Sequence, residues 1–363
     1  MGWDEIKGQE SALGFLQRSL ASGRLAHAYL FHGPEGVGKR MAALLTARVL
    51  LCRGKDRPCD VCPACRQVRS GTHPDLHQAF PVGKSRRIRI EQVRRMLEAS
   101  RLNSNQGGWK VFILDDAETM GAEGGNALLK FLEEPSSGTL IILVSSRPDQ
   151  LLPTIVSRCQ SVRFGLWPDS LLHSEALSSR ASDLTAPLLA SLAEGSPGRL
   201  MGLLEGDWLE GRSLILDLRT RCGQGESPGR LAQELLAFVK EQEKKVAGET
   251  DETVGALPAA ERRRREEARI AAQRVVTMST VLEILQGWYR DLYLFRNGAG
   301  RDIIINRDRI EEFSDSSAQE SSPTTAFRAL EAARESLLRR NASAPLVFER
   351  LFYELQGSRD SRG

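Results

Sequence analysis

Nowhere in the chain do about 18 apolar residues follow one another, so no membrane-crossing helix is expected. The opening residues, MGWDEIKGQE, carry acids and no apolar core of signal-peptide length. Gly2 follows Met1 as N-myristoylation requires, but Ile6 stands where that pattern needs Ser or Thr, which rejects the modification. An excess of one charge sign is also lacking. The formal net charge is only +3, so any nucleic-acid contact must come from local patches or from assembly with partners. No internal repeat is visible, and the expected location is the cytoplasm.

What is present describes a globular protein of 363 residues, 41% hydrophobic and 27% charged, long enough for two or three domains. The first 165 residues alternate strand and helix signals at the spacing of a parallel α/β sheet. Strands are expected at residues 27–32, 110–114 and 140–144, and helices at 11–22, 40–51, 91–100 and 125–134. After Phe164 the strand signals mostly stop. Residues 166–206 read as a small helical unit and residues 207–363 as a second helical region. Within the latter, residues 241–270 are dense in charge, including the run ERRRREE. They read as a solvated helix or a flexible insertion, with a DNA- or partner-binding face as the other reading.

Residues 33–40, GPEGVGKR, fall between a predicted strand and a predicted helix, the context a phosphate-binding loop requires. Gly33, Gly36 and Gly38 let the backbone wrap a phosphate, the helix N-terminus offers N–H groups, and Lys39 adds charge. A working loop then has a Ser or Thr hydroxyl for Mg²⁺. Here Arg40 stands in that place and cannot ligate a cation. The strand at 110–114 ends in Asp115 and Asp116, the first placed near a metal. Asp116 falls where ATPases of this kind carry a glutamate that polarises the attacking water. A side chain one methylene shorter positions that water poorly. The expectation is a site built like an ATPase and impaired as one, binding ATP/Mg²⁺ weakly or not at all.

Four of six cysteines, Cys52, Cys59, Cys62 and Cys65, crowd into one loop. Four thiolates at this spacing match a closed tetrahedral Zn²⁺ site with a structural role. An iron–sulfur cluster lacks any surrounding redox motif. His73 and His77 are rival ligands, although His73 beside Pro74 and Asp75 reads better as a loop hydrogen-bonder. Cys159 and Cys222 read as ordinary buried thiols. The basic stretch 84–89, with Lys84, Arg86, Arg87 and Arg89, is either a contact for DNA phosphates or a solvated loop.

Downstream, Ser157-Arg158-Cys159 closes the segment 152–159, and this triplet resembles the clamp-loader ATPases, which include polymerase III gamma, delta-prime and replication factor C. Residues 126–135 (NALLKFLEEP), 71–75 (GTHPD) and 195–199 (GSPGR) resemble the same family. So do residues 287–292 and 341–355, more patchily. The resemblance implies an α/β RecA-like P-loop (AAA+) domain over 1–165 with a zinc insertion at 52–65. A helical lid with sensor 2 would follow at 166–206, then an all-α collar at 207–363 with a charged insertion at 241–270. It implies that Arg158 is an arginine finger acting in trans on a neighbour's nucleotide. Ser145 or Ser146 stands at sensor 1, with Ser146 the candidate, and Arg199 is the candidate sensor 2 arginine. Gamma-type members keep Ser or Thr after the loop lysine and an Asp-Glu pair. This chain departs at both places, which implies a delta-prime-type stator within bacterial polymerase III. Its implied partners are the gamma/tau and delta subunits in a hetero-pentamer, the sliding clamp, and primer–template DNA reached through the assembly. The alternatives are an ATP-hydrolysing gamma-type motor subunit and a zinc-bearing DNA-repair scaffold.

Overall fold

A computed structural model describes residues 2–82, 87–105, 108–179, 186–205, 208–248, 259–315, 321–340 and 342–357. The chain divides into two compact units, Met1–Gly202 and Leu203–Gly363.

The first unit is a five-stranded parallel sheet with helices on both faces. Its strands are β1 (Ala28–His32), β2 (Leu76–Ala79), β3 (Lys110–Leu114), β4 (Thr139–Ser145) and β5 (Gln160–Arg163), in the spatial order β2-β3-β4-β1-β5. All four strand pairs are parallel, with Ala28 opposite Ile141 and Lys110 opposite Thr139. This is the RecA-like arrangement of a P-loop domain. The central strands are apolar runs because both faces are covered. Along β4, Leu140, Ile142 and Val144 join one core with Tyr29, Phe31, Val111 and Ile113. Ile141 and Leu143 point the other way, into a second core with Leu30, Phe112 and Leu114. A one-residue slip would exchange the two sets, so the apolar pattern pins the register.

The helices of this unit are α1 (Glu10–Ala21), α2 (Lys39–Leu51), α3 (Pro63–Arg69), α4 (Ile90–Arg101), α5 (Ala122–Glu133) and α6 (Pro153–Val156), then α7 (Asp169–Ser178), α8 (Ala186–Ala193) and α9 (Pro197–Glu205). Expected strands and helices lie within three residues of these bounds at each end. Two strands, β2 and β5, were not expected. β2 reads LHQA and β5 reads QSVR, so neither shows an apolar run. Backbone pairing to β3 and β1 makes them strands.

The second unit is helical: α10 (Trp208–Gly223), α11 (Pro228–Gly248), α12 (Ala259–Arg296), α13 (Glu312–Asp315), α14 (Pro323–Arg334) and α15 (Ala344–Leu355). Its core gathers Trp288, Tyr289, Phe348 and Phe352, all essentially fully buried. Arg219 is buried there with its guanidinium 3.9 Å from the Trp288 ring centroid and an ion pair to Glu312 at 3.2 Å. Part of the charged stretch, residues 259–270, belongs to α12, where exposed Arg263 pairs with Glu267 one turn on. Residues 249–258 lie outside the described residues, as do Lys84 and Arg86. Arg87 and Arg89 are exposed, and Arg87 forms an antiparallel bridge with Val82. Among the described residues, no helix is long and apolar enough to cross a membrane.

Candidate nucleotide and metal sites

Strands β3, β4 and β1 are neighbours, so their carboxyl ends bring Asp115, Ser145–Ser146 and the loop at 33–38 to one edge of the sheet. This is where open α/β sheets bind ligands. Gly33, Gly36 and Gly38 all have positive φ (141°, 75° and 98°). A Cβ on Gly33 would lie 2.1 Å from the Phe164 carbonyl oxygen, so the loop can approach β5 only as glycine. Gly38 caps α2, and Lys39 is its first residue.

Lys39 is buried and turned onto its own loop. Its Nζ donates to Gly33 O (2.7 Å), Pro34 O (2.5 Å) and Ser146 Oγ (3.1 Å). Burial holds its pKa below the usual lysine value, while Glu118, Glu35, Asp116 and Asp115 work in the opposite direction. Of the two serines expected as sensor 1 candidates, Ser146 is the one bonded to Lys39. Ser145 is buried, and its Oγ accepts from Arg147 N.

Arg40 reaches across to Asp115, with Nε 3.5 Å from Oδ2. Burial raises the Asp115 pKa, and the Arg40 charge opposes that rise. Asp116 follows in left-handed backbone (φ 49°, ψ 49°) and caps a short 3₁₀ turn, with its carbonyl accepting from Thr119. The sequence reading missed Glu118. Its side chain is 3% exposed and its Oε1 accepts from Ser146 N at 3.1 Å. The signal lies in the sequence as a third acid just after the strand-end pair, in Asp115-Asp116-Ala117-Glu118.

The α9 terminus packs on the same loop. Gly198 N donates to Gly36 O (2.9 Å) and Ser196 Oγ donates to Glu35 O (3.0 Å). Arg199, one residue on, pairs with Glu194 at 2.9 Å. Arg158 lies just beyond α6, its side chain 38% exposed. It donates to Thr154 O (3.0 Å) and pairs with Glu133 of α5 (2.8 Å).

The four loop cysteines come together with every Sγ within 4.8 Å of the others, and Cys52 and Cys62 lie 4.0 Å apart. Sulfurs around a tetrahedral ion with bonds of about 2.3 Å would sit roughly 3.8 Å apart. Backbone N–H groups of Gly54 and Cys59 point at Cys52 Sγ, and that of Cys65 at Cys62 Sγ, as they would toward thiolates. At Cys62 burial opposes ionisation, but N–H donors from Arg53 and Cys65 take its pKa down to about 6. Burial and the neighbouring thiols Cys52 and Cys62 push Cys65 up to about 12. Four sulfurs this close cannot all be anionic without a cation among them. The cluster can therefore hold a metal ion.

The rival histidines stay out of the cluster. His73 is buried, and its Nδ1 accepts from Asp75 N at 3.1 Å. His77 stacks on Phe112 with centroids 4.7 Å apart. The cysteine loop is tied to the phosphate-loop helix through buried Arg48 of α2, which pairs with Asp60. Cys222 is buried as expected. Cys159 is only half-buried, although that burial still pushes its thiol up to about 12.

Residues 8–166 match the family described as DNA polymerase III, delta subunit. Over 220 residues the chain is 34% identical to DNA polymerase III subunit delta′ of Bacillus subtilis, covering 60% of this chain and 66% of that one. It is 41% identical over 180 residues to the delta′ subunit of Pseudomonas aeruginosa, covering 47% and 54%. Residues 8–166 belong to this DNA polymerase III family. A tau subunit of Escherichia coli is also 34% identical, over 204 residues that cover 53% of this chain and 31% of that relative. The family match thus falls on the sheet unit that carries both candidate sites, and the chain spans between half and two thirds of the delta′ relatives' length.

Proposed function

We propose that the chain is a clamp-loader subunit of bacterial DNA polymerase III, of the delta-prime type. In this reading it is a stator that lends Arg158 to a nucleotide bound by a neighbouring gamma/tau subunit while its own loop does not cleave ATP. The observation that carries the reading is the Arg40–Asp115 pair, because a guanidinium lies against the carboxylate that an active site needs for its metal. Relatives named delta′ support the same choice.

Arg158 is half-exposed and held by a surface ion pair, which contributes only about 0–1 kcal/mol and is readily exchanged for a phosphate oxygen. A guanidinium placed on the transition-state charge of phosphoryl transfer accelerates it by about 10³–10⁵. Ser146 and Arg199 would keep sensor positions without a cleavage role. Cys52, Cys59, Cys62 and Cys65 would hold a structural Zn²⁺, a closed four-sulfur set with no open position for chemistry. Residues 166–206 would serve as the lid, 207–363 as the collar joining delta and gamma/tau subunits in a five-membered ring. The sliding clamp and primer–template DNA would be engaged by that assembly.

The test is purification with a gamma/tau motor subunit, followed by ATP hydrolysis assays on the isolated chain. A stable complex together with negligible turnover by the chain alone supports the reading. Turnover comparable to that of the motor subunit overturns it in favour of the gamma-type alternative, and failure to form any complex favours the repair-scaffold alternative.

A further inference from the structure

The metal position of the phosphate loop does not fit Mg²⁺. Mg²⁺ requires near-octahedral oxygen ligands at about 2.0–2.1 Å. Of the two protein ligands expected at such a loop, the hydroxyl after the lysine is replaced by Arg40, which has no side-chain oxygen. The other, Asp115, has Arg40 Nε 3.5 Å from its Oδ2. An incoming divalent ion would meet the positive charge of Arg40 beside the carboxylate that this charge already faces.

The anion-binding parts are nevertheless intact. The three loop glycines keep the positive φ angles that let the backbone wrap closely around a phosphate. α2 is a full helix of 13 residues whose first turn contains no acid. Lys39 is in place, and its three present bonds are to oxygens that a phosphate oxygen can replace. Arg40 itself is 57% exposed, so its guanidinium is accessible to a ligand. A guanidinium carries five donors in a planar fork suited to phosphate.

We propose that Arg40 is a tethered stand-in for the divalent cation, so that this loop takes the diphosphate of a nucleotide without magnesium. Free ADP finds two positive side chains, Lys39 and Arg40, and no competing ion. Mg-ADP brings a cation toward Arg40 and is disfavoured. The inference rests on reading residues 33–40 as a phosphate loop, and no bond is made or broken in it.

The experiment is equilibrium binding of ADP to the full-length chain, in EDTA and in MgCl₂, for wild type, Arg40→Thr and Lys39→Ala. Because Arg40 is exposed, Arg40→Thr folds as wild type does, which a melting curve verifies. Wild type binds ADP in EDTA at least as tightly as in MgCl₂. Arg40→Thr restores the hydroxyl, frees Asp115 and binds about tenfold or more tightly when Mg²⁺ is added, as two extra charges near a phosphate chain dictate. Lys39→Ala loses binding in both buffers. The proposal is overturned if wild-type binding requires Mg²⁺. It is also overturned if only Arg40→Thr binds, in which case Arg40 plugs a loop that is otherwise competent. If no protein binds ADP in either buffer, the phosphate-loop reading itself falls.

Discussion

Stripping the metal from the cysteine cluster should loosen the first unit by a calculable amount. The cluster staples a loop from Cys52 to Cys65, and a cross-link closing about 15 residues removes roughly 3 kcal/mol of unfolded-chain freedom. The loop also supplies Asp60 to Arg48, whose side chain is 3% exposed on α2. If the loop disorders and abandons that guanidinium, the loss rises, since breaking a buried ion pair costs about 3–5 kcal/mol. For a unit of about 200 residues, each kcal/mol moves the melting temperature by about 2–4 °C, so chelation should lower it by at least about 6–12 °C. The assay is calorimetry with and without a strong chelator, beside elemental analysis of the purified chain. Hydrogen exchange should show the loss concentrated in residues 48–70. About one zinc per chain is expected, retained by Cys159→Ser and lost by Cys62→Ser. A metal-free purified chain, or a melt unmoved by the chelator, would refute the reasoning.

Two further outcomes follow from the sheet unit. His77 has its pKa held below the free-histidine value, mainly by burial. The unfolded chain takes up that proton first as the pH falls through 6.5, so stability is full above 6.5 and declines below it. His77→Phe keeps the stack on Phe112, and its urea midpoint should therefore fall less than that of wild type between about pH 7.5 and 5.5; equal falls would remove His77 from the account. Gly36→Ala would place a Cβ 2.3 Å from Ser196 Oγ at φ 75°. It should destabilise the unit by about 1–3 kcal/mol in urea unfolding, and a change within about 0.3 kcal/mol would contradict the close packing of loop and α9.

The sequence made the central sheet legible because β1, β3 and β4 are buried on both sides and so consist of apolar runs. β5 is an edge strand with three of its four residues exposed, and β2 carries His77 and Gln78 half-buried. Pairing across the sheet makes them strands, and pairing leaves no mark on local composition. The same limit applies to the site. Spacing located Lys39, Asp115 and the four cysteines, because a strand end, a loop and a helix start fix where those residues stand. Spacing also showed that Arg40 could not ligate a metal. It did not show that Arg40 reaches Asp115, nor that Glu118 folds back beneath Ser146, because both depend on side chains meeting across β1, β3 and β4. The small helical stretch at 166–206 was visible as helix. Its packing on the phosphate loop through Ser196 and Gly198 was not, because those contacts join residues about 160 positions apart.

The measurement that bears most directly on the central claim is the ATPase rate of a reconstituted complex carrying Arg158→Ala. The variant should assemble normally, since Arg158 is half-exposed and its ion pair to Glu133 contributes little. Hydrolysis by the partner subunits should then fall at least about tenfold, a floor set well beneath the roughly 10³–10⁵ that a finger supplies at the one site it serves. A complex that hydrolyses ATP at the wild-type rate would contradict the claim that this chain works by lending its arginine.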